Sequence, residues 1–195
     1  MNRHRLTLAL AAVAVALLAG CNAAPPPAGP LAGSGVGGAF AMVDQDGRAV
    51  TDRSYAGKYR LMYFGYTFCP DVCPVDVQKI AQGMKLFTAT DPGRAARVVP
   101  MFITVDPDRD TPAVMKTFVR AFSTTMVGLT GTPAQAAAMR KVFRIYAAKA
   151  GNGANYLVDH SATIYLMDPA NRPITFLEHD ATPQAIAAEL ATYVR

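Results

Sequence analysis

An α/β fold is what this chain predicts, with a central mixed β-sheet flanked by helices in one domain over residues 39–195. Three observations carry the prediction. Tyr59–Tyr66 (YRLMYFGY) and Val98–Val105 (VVPMFITV) are strand-length runs, nearly continuous in apolar residues, as strands covered on both faces are. Thr-Pro pairs at 111–112, 132–133 and 182–183 each offer a helix cap followed by a proline suited to the first turn. The order β-α-β-α-(β)-α-β-β-α then closes on a hairpin and a helix, which suits a thioredoxin-like fold with an N-terminal extension and an inserted helix.

Taken from the start, Asn2, Arg3, His4 and Arg5 form a short positive head, and Leu6–Leu18 is an apolar run of 13 residues. That run is short for a mature membrane span and ends in small residues, so residues 1–20 read as a secretory signal. Leu18-Ala19-Gly20-Cys21 resembles the lipobox of bacterial lipoproteins, in which the cysteine is lipidated and becomes residue one. Diacylation of Cys21 would give stable two-chain anchoring. The expectation is an exported protein, lipid-anchored at a bacterial membrane, with its domain facing the periplasm or the cell exterior. Losing Arg3 and Arg5 lowers the formal charge from +5 to +3, that is 5 − 2. The remaining basic residues are scattered without a stripe or interleaved aromatics, which argues against nucleic-acid binding.

Residues 21–38 read as the lipidated cysteine and a flexible tether of alanine, proline and glycine without charge. As a coil the 17 residues after Cys21 would reach roughly 20–25 Å. Phe40–Val43 is a short strand before the turn Asp44-Gln45-Asp46-Gly47. After the strand Tyr59–Tyr66, Pro74 opens a helix to about Thr90, with Cys73 as its cap. Helices from Thr111 to about Phe122 and from Thr132 to about Ala148 flank a short strand at Met126–Leu129. A glycine-rich loop, Lys149–Val158, precedes strands at Ser161–Met167 and Ile174–His179, and Thr182-Pro183 opens the last helix to about Val194.

The chemistry gathers at FGYTFCPDVCP, residues 64–74. Lipidation of Cys21 leaves Cys69 and Cys73 as the one remaining thiol pair. They lie where a buried strand meets its helix, the edge at which α/β sheets build sites. A sulfur at a helix N-terminus sits by unpaired N–H groups and the positive end of the macrodipole, so thiolate is favoured, for attack or for a soft metal. The spacing is C-x-x-x-C rather than the C-x-x-C of thioredoxin-type redox enzymes. A disulfide, a redox pair and half of a metal clamp all remain open on spacing alone. A metal needs a third ligand, and the chain has three histidines. His4 leaves with the signal, and His179 sits among charged residues as a solvated strand end. His160, in Asp159-His160-Ser161 ahead of a buried strand, is the candidate, with Asp159 and Ser161 able to fix its tautomer. Two cysteinates and an imidazole suit Cu(I), or Cu(II) with a further weak ligand, and zinc would seek a fourth donor.

Three ordered segments resemble the Sco/SenC family of copper metallochaperones: Phe64–Pro74, then Val105-Asp106-Pro107-Asp108-Arg109-Asp110-Thr111-Pro112, then Val158-Asp159-His160-Ser161 with Tyr165-Leu166-Met167-Asp168-Pro169. The resemblance spans roughly Phe40–Arg195 and implies a thioredoxin-like fold and one copper ion held by Cys69, Cys73 and His160. It also implies partners: the copper-binding subunit of cytochrome c oxidase, at its Cu(A) site, or another copper chaperone. A thiol-disulfide reductase acting on the target cysteines through Cys69 and Cys73 is the alternative that the same family suggests. A peroxidase on this fold would commonly place threonine three residues before the attacking cysteine, whereas Thr67 is two before Cys69. The sequence departs from the family pattern at Val75-Asp76-Val77 and in its glycine-rich loop. Ordinary turn and helix-start chemistry accounts for Asp71 and for the aspartates of residues 106–110. Beside that reading, Asp71 could tune the thiolates or approach the metal, and Asp108 and Arg109 could rim the site. Tyr66 and Phe68 could shield the metal from water.

Overall fold

The computed structural model describes residues 28–195. The signal at 1–20, Cys21 with its lipidation, and the first part of the tether lie outside the described residues. Among those described, no helix is long and apolar enough to cross a membrane.

The strands are β1 (Ala41–Asp44), β2 (Ala49–Thr51), β3 (Tyr59–Gly65), β4 (Val98–Thr104), β5 (Val127–Thr130), β6 (Ala147–Ala150), β7 (Leu157–His160), β8 (Ile164–Met167) and β9 (Pro173–Leu177). The helices are α1 (Val72–Thr90), a short α2 (Pro92–Ala95), α3 (Pro112–Phe122), α4 (Pro133–Phe143) and α5 (Pro183–Tyr193). Seven strands form one sheet in the order β2-β1-β5-β4-β3-β8-β9, while β6 and β7 form a sheet of their own. β3, β4 and β5 are parallel, whereas β8 runs antiparallel to β3 and β9 to β8. The β4-β3-β8-β9 core with α1 and α5 is the thioredoxin-like unit, and the β1–β2 hairpin extends it beyond β5.

Both central strands are covered on both faces, which is why they lack polar alternation. On one face Tyr63 stacks with Phe102, whose ring meets Phe118 of α3. On the other, Phe64 meets Phe143 of α4 and Tyr165 of β8, and Phe143 reaches Phe40. The three Thr-Pro starts behave alike: Thr111, Thr132 and Thr182 accept from the amides of Val114, Gln135 and Ala185, with proline in the first turn each time. At Thr132 the Gln135 side chain returns the bond to the cap's own amide and completes a capping box.

Three expectations need correction. α4 ends at Phe143 rather than near Ala148, because Arg144 turns into the left-handed region (φ 55°) and its amide bonds back to Arg140 and Lys141. The chain then enters β6, so Lys149–Val158 is the tip and flank of a hairpin and not a simple loop. The expected tether also gives up its last ten residues. Leu31 donates to the Ile174 carbonyl at 3.0 Å, Gly37 donates to Val142 at 2.8 Å, and Val36 is buried. Asn171 holds the Gly38 carbonyl at 3.1 Å and receives Arg60, itself buried at the start of β3. Leu31 and Val36 supply apolar anchors that the alanine-glycine composition hides. This segment therefore fastens at the β8–β9 turn, the end of the sheet where β3 begins.

α1 and α5 pack closely at Gly83, where a Cβ would stand 2.7 Å from Ile186 Cγ2 and 3.1 Å from the Pro183 carbonyl oxygen. Gly83→Ala gains helix propensity worth about 0.5–1 kcal/mol, but overpacking costs about 1–3 kcal/mol. A net loss of roughly 1 kcal/mol in urea denaturation is expected.

Candidate metal centre

The site forms where β3 and β4 end. Gly65 leaves β3 with no side chain because a Cβ there would lie 3.0 Å from Cys73 Sγ and equally near Phe102 and Tyr63. Thr67 is then caught by the buried carboxylate of Asp110. The Thr67 amide donates to it at 3.2 and 3.3 Å and the Thr67 hydroxyl at 2.6 Å, while Thr104 donates to Asp110 Oδ2 at 2.6 Å. Burial pushes the Asp110 carboxyl up from its usual range, against the pull of these donors. Thr67 and Asp110 therefore set the path of the chain into Cys69.

α1 begins two residues earlier than Pro74 implies. Its N-cap is Asp71, and Cys73 lies inside the first turn. The capping acceptor is sulfur: the Cys73 amide points at Cys69 Sγ, 3.5 Å away. A thiol thus takes the place of a hydroxyl or carboxylate cap, which removes the reason for the helix to wait until Pro74.

Both cysteines are free thiols. Cys73 is fully buried and Cys69 retains 9% of its surface. Burial, more than any neighbour, pushes the Cys73 thiol well up, with the Tyr66 backbone bond opposing and Cys69 adding to the rise. Desolvation thus acts on the Cys73 thiol in the direction opposite to the helix terminus that the sequence reading invoked for a thiolate.

His160 ends β7 and turns its ring to Cys73, with Nε2 3.3 Å from Sγ. Its Nδ1 faces the Ser161 carbonyl at 3.1 Å, an acceptor, so Nδ1 carries the proton and Nε2 presents its lone pair. Burial lowers the imidazole's proton affinity, opposed by the Ser161 carbonyl and by Asp76 and Asp159, so the ring stays neutral near neutral pH. Tyr66 lies edge-on to the ring at 5.8 Å between centroids, and its hydroxyl accepts from the Val158 amide at 3.2 Å.

Sulfur and imidazole nitrogen sharing one metal at about 2.3 and 2.0 Å would stand roughly 3.5 Å apart, so the 3.3 Å pair is close to metal-ready. Among the described residues, no group of three or more His, Cys, Asp and Glu side chains stands together closely enough to hold an ion. The preformed part is Cys73 with His160, and the Cys69 sulfur is engaged on the Cys73 amide instead. Asp71 and Asp159 are exposed, and alternation along β7 sends Asp159 away from the side that Val158 and His160 share. Ser161, not Asp159, holds the imidazole. His179 is exposed beyond β9, where its carbonyl accepts from Lys79.

Sequence reading passed over a buried polar pair beneath Cys73. Tyr63 donates to Asp76 Oδ2 at 2.9 Å, and Lys79 lies 3.5 Å from Asp76 Oδ1. An aspartate three residues into a helix, facing an otherwise apolar side, was the available signal. Burial pushes both the Tyr63 hydroxyl and the Asp76 carboxyl up.

The SCO1/SenC family pattern matches residues 29–195. Protein SenC of Rhodobacter capsulatus is 42% identical over 161 residues, 82% of this chain and 71% of that protein. The mitochondrial SCO1 homolog 1 of Arabidopsis thaliana is 34% identical over 171 residues, 85% of this chain but only 50% of that protein, so the chain spans about half of this relative. ScoI of Bradyrhizobium japonicum, solved with copper bound, superposes with a TM-score of 0.74 at 41% identity, covering 82% of this chain and 99% of that one.

Thr67→Val deletes the hydroxyl that meets Asp110 at 2.6 Å. It should cost about 1–3 kcal/mol in denaturant unfolding and release the chain ahead of Cys69. The same variant should raise the reaction rate of Cys69 with a thiol reagent severalfold while Cys73 stays protected.

Proposed function

The chain belongs to the SCO1/SenC family, and on that premise we propose that it is a copper chaperone, carrying one copper ion on Cys69, Cys73 and His160. The acceptor is the copper-binding subunit of cytochrome c oxidase, at its Cu(A) site, or another copper chaperone. The observation that supports the reading most directly is the 3.3 Å approach of His160 Nε2 to Cys73 Sγ, with the nitrogen lone pair turned to the sulfur.

Copper enters as cargo. Two sulfurs and one imidazole are soft donors that suit Cu(I), and an added weak ligand would accommodate Cu(II). The copper-bound ScoI favours copper over zinc for a domain of this shape. Loading exchanges the thiol protons of Cys73 and Cys69 for the cation, whose charge stabilises the two thiolates in the buried site. Cys69 leaves the Cys73 amide to complete the set. Being the more exposed sulfur, it is the one through which a partner's thiolate takes over the ion, so copper passes from sulfur to sulfur without being free. The alternative, reduction of a partner's disulfide by this pair, requires a thiolate for attack. With Cys73 fully buried, that attack would fall to Cys69, the more exposed sulfur.

We further place the domain outside the cytoplasm, lipid-anchored through Cys21 at a bacterial membrane. Cys21→Ala should move the protein from the detergent to the aqueous phase on detergent partition.

Under reducing conditions the parent should bind one equivalent of Cu(I) tightly, measured by competition with a chromogenic chelator. His160→Ala should weaken that binding by at least tenfold and change the Cu(II) absorption spectrum. Equal Cu(I) affinity and an identical Cu(II) spectrum in parent and variant would sink the three-donor assignment.

A further inference from the structure

The imidazole donor sits on a hairpin that forms its own two-stranded sheet, so main-chain ladders do not fix its distance from the sulfurs. Side chains do. Besides the Tyr66 hydroxyl on the Val158 amide, the ties converge on the loop after β4. There Arg109 extends across the mouth of the site. Its guanidinium carbon lies 3.7 Å from the Tyr156 ring centroid and 4.8 Å from that of Phe68, with Tyr66 at 5.7 Å.

We propose that Arg109 is a positioning residue for the metal centre: stacked with Phe68, next to Cys69, and with Tyr156, four residues before His160, it couples the sulfur-bearing loop to the imidazole-bearing hairpin. The proposal rests on the copper-binding reading for its consequence, though not for its geometry.

The remaining contacts lock the guanidinium in place. Its Nε donates to Asp106 Oδ2 at 2.5 Å, and its Nη1 reaches the Ala154 carbonyl in the hairpin tip at 3.4 Å. The other oxygen of Asp106, a residue only 1% exposed, accepts the Tyr156 hydroxyl at 2.6 Å. Asp106, Arg109 and Tyr156 thus close a triangle in which each member touches the other two. A planar, permanently charged group holds an aromatic on its face while its edge serves a carboxylate in one fixed geometry, whereas an ammonium does so only as a point charge, as Lys149 does with Tyr156 at 4.5 Å and Asp108 at 2.8 Å. The outer pair Lys149–Asp108, at 2.8 Å, is about half exposed on both sides and adds little. Arg109 is therefore where the two donor-bearing segments meet through one side chain.

The test uses the full chain and its Arg109→Ala, Arg109→Lys, Phe68→Ala and Arg109→Ala/Phe68→Ala variants, with Cu(I) as the probe and amide hydrogen exchange of the copper-free protein as a second readout. Arg109→Ala should weaken Cu(I) binding roughly ten- to hundredfold and speed exchange in residues 151–158 together with residues 67–73. Arg109→Lys should recover part of the affinity, since it keeps a charge beside Asp106 without the planar face. Phe68→Ala should weaken binding severalfold and add little on top of Arg109→Ala, because both break one stack. Parent-like affinity in a folded Arg109→Ala, or full additivity with Phe68→Ala, would overturn the coupling. If removal of Arg109 from beside buried Asp106 prevents folding, Arg109→Lys and Phe68→Ala carry the same comparison. If the parent itself binds no Cu(I), the chaperone reading fails, and the exchange data alone decide the coupling: faster exchange in both segments supports it, and unchanged exchange rejects it.

Discussion

The buried carboxylate of Asp110 is the constraint on which the site depends. It takes three donors from two segments, the amide and hydroxyl of Thr67 and the hydroxyl of Thr104, and its own carbonyl accepts the Thr130 hydroxyl at 2.5 Å. One residue at the start of α3 thereby joins the exits of β3, β4 and β5. Withdrawing a carboxyl group from water is costly unless its acceptor sites are used, and here the two hydroxyl donors stand at 2.6 Å with the Thr67 amide at 3.2 and 3.3 Å. The chain that leaves β3 has little freedom once Thr67 is held, and the position of Cys69 follows two residues later.

The three proposed donors stand on supports of different kinds. Cys73 lies fully buried within α1, its sulfur against Gly65. Cys69 belongs to the loop before the helix and His160 to a hairpin beside the main sheet. For the proposed copper carrier, which must release its ion, this division is an advantage. A fully rigid cage would bind with less reorganisation, but exchanging one ligand at a time for a partner's requires donors that can move.

Much of the fold was legible because it depends on local rules. The central strands announced themselves by continuous apolar runs, and the three Thr-Pro pairs marked helix starts that the structure repeats with the same cap geometry. What stayed hidden depended on contacts between distant residues. Ala147–Ala150 carries no β-branched or aromatic signal, so the helix pattern before it seemed to continue, and only pairing with Leu157–His160 makes it a strand. The start of α1 was misjudged because a sulfur four residues back serves as its cap. The motif at residues 105–112 read as ordinary turn chemistry, which it is locally. Its other role, gripping Thr67 on one side and Tyr156 on the other, appears only when segments 43 and 50 residues away fold against it. The nearness of His160 to Cys73 likewise spans 87 residues, and without the family resemblance a lone histidine would have carried little weight.

The segment from Gly29 to Gly38 joins the sheet beside the β8–β9 turn, whereas the sulfurs lie past the far end of β3. Seven residues of β3, roughly 23 Å of strand, separate the two poles. Whatever is joined ahead of Gly29 pulls on the molecule from behind. A surface, support or neighbouring polypeptide attached there leaves the cysteine-bearing end as the leading face, so the geometry of attachment itself points that end outward.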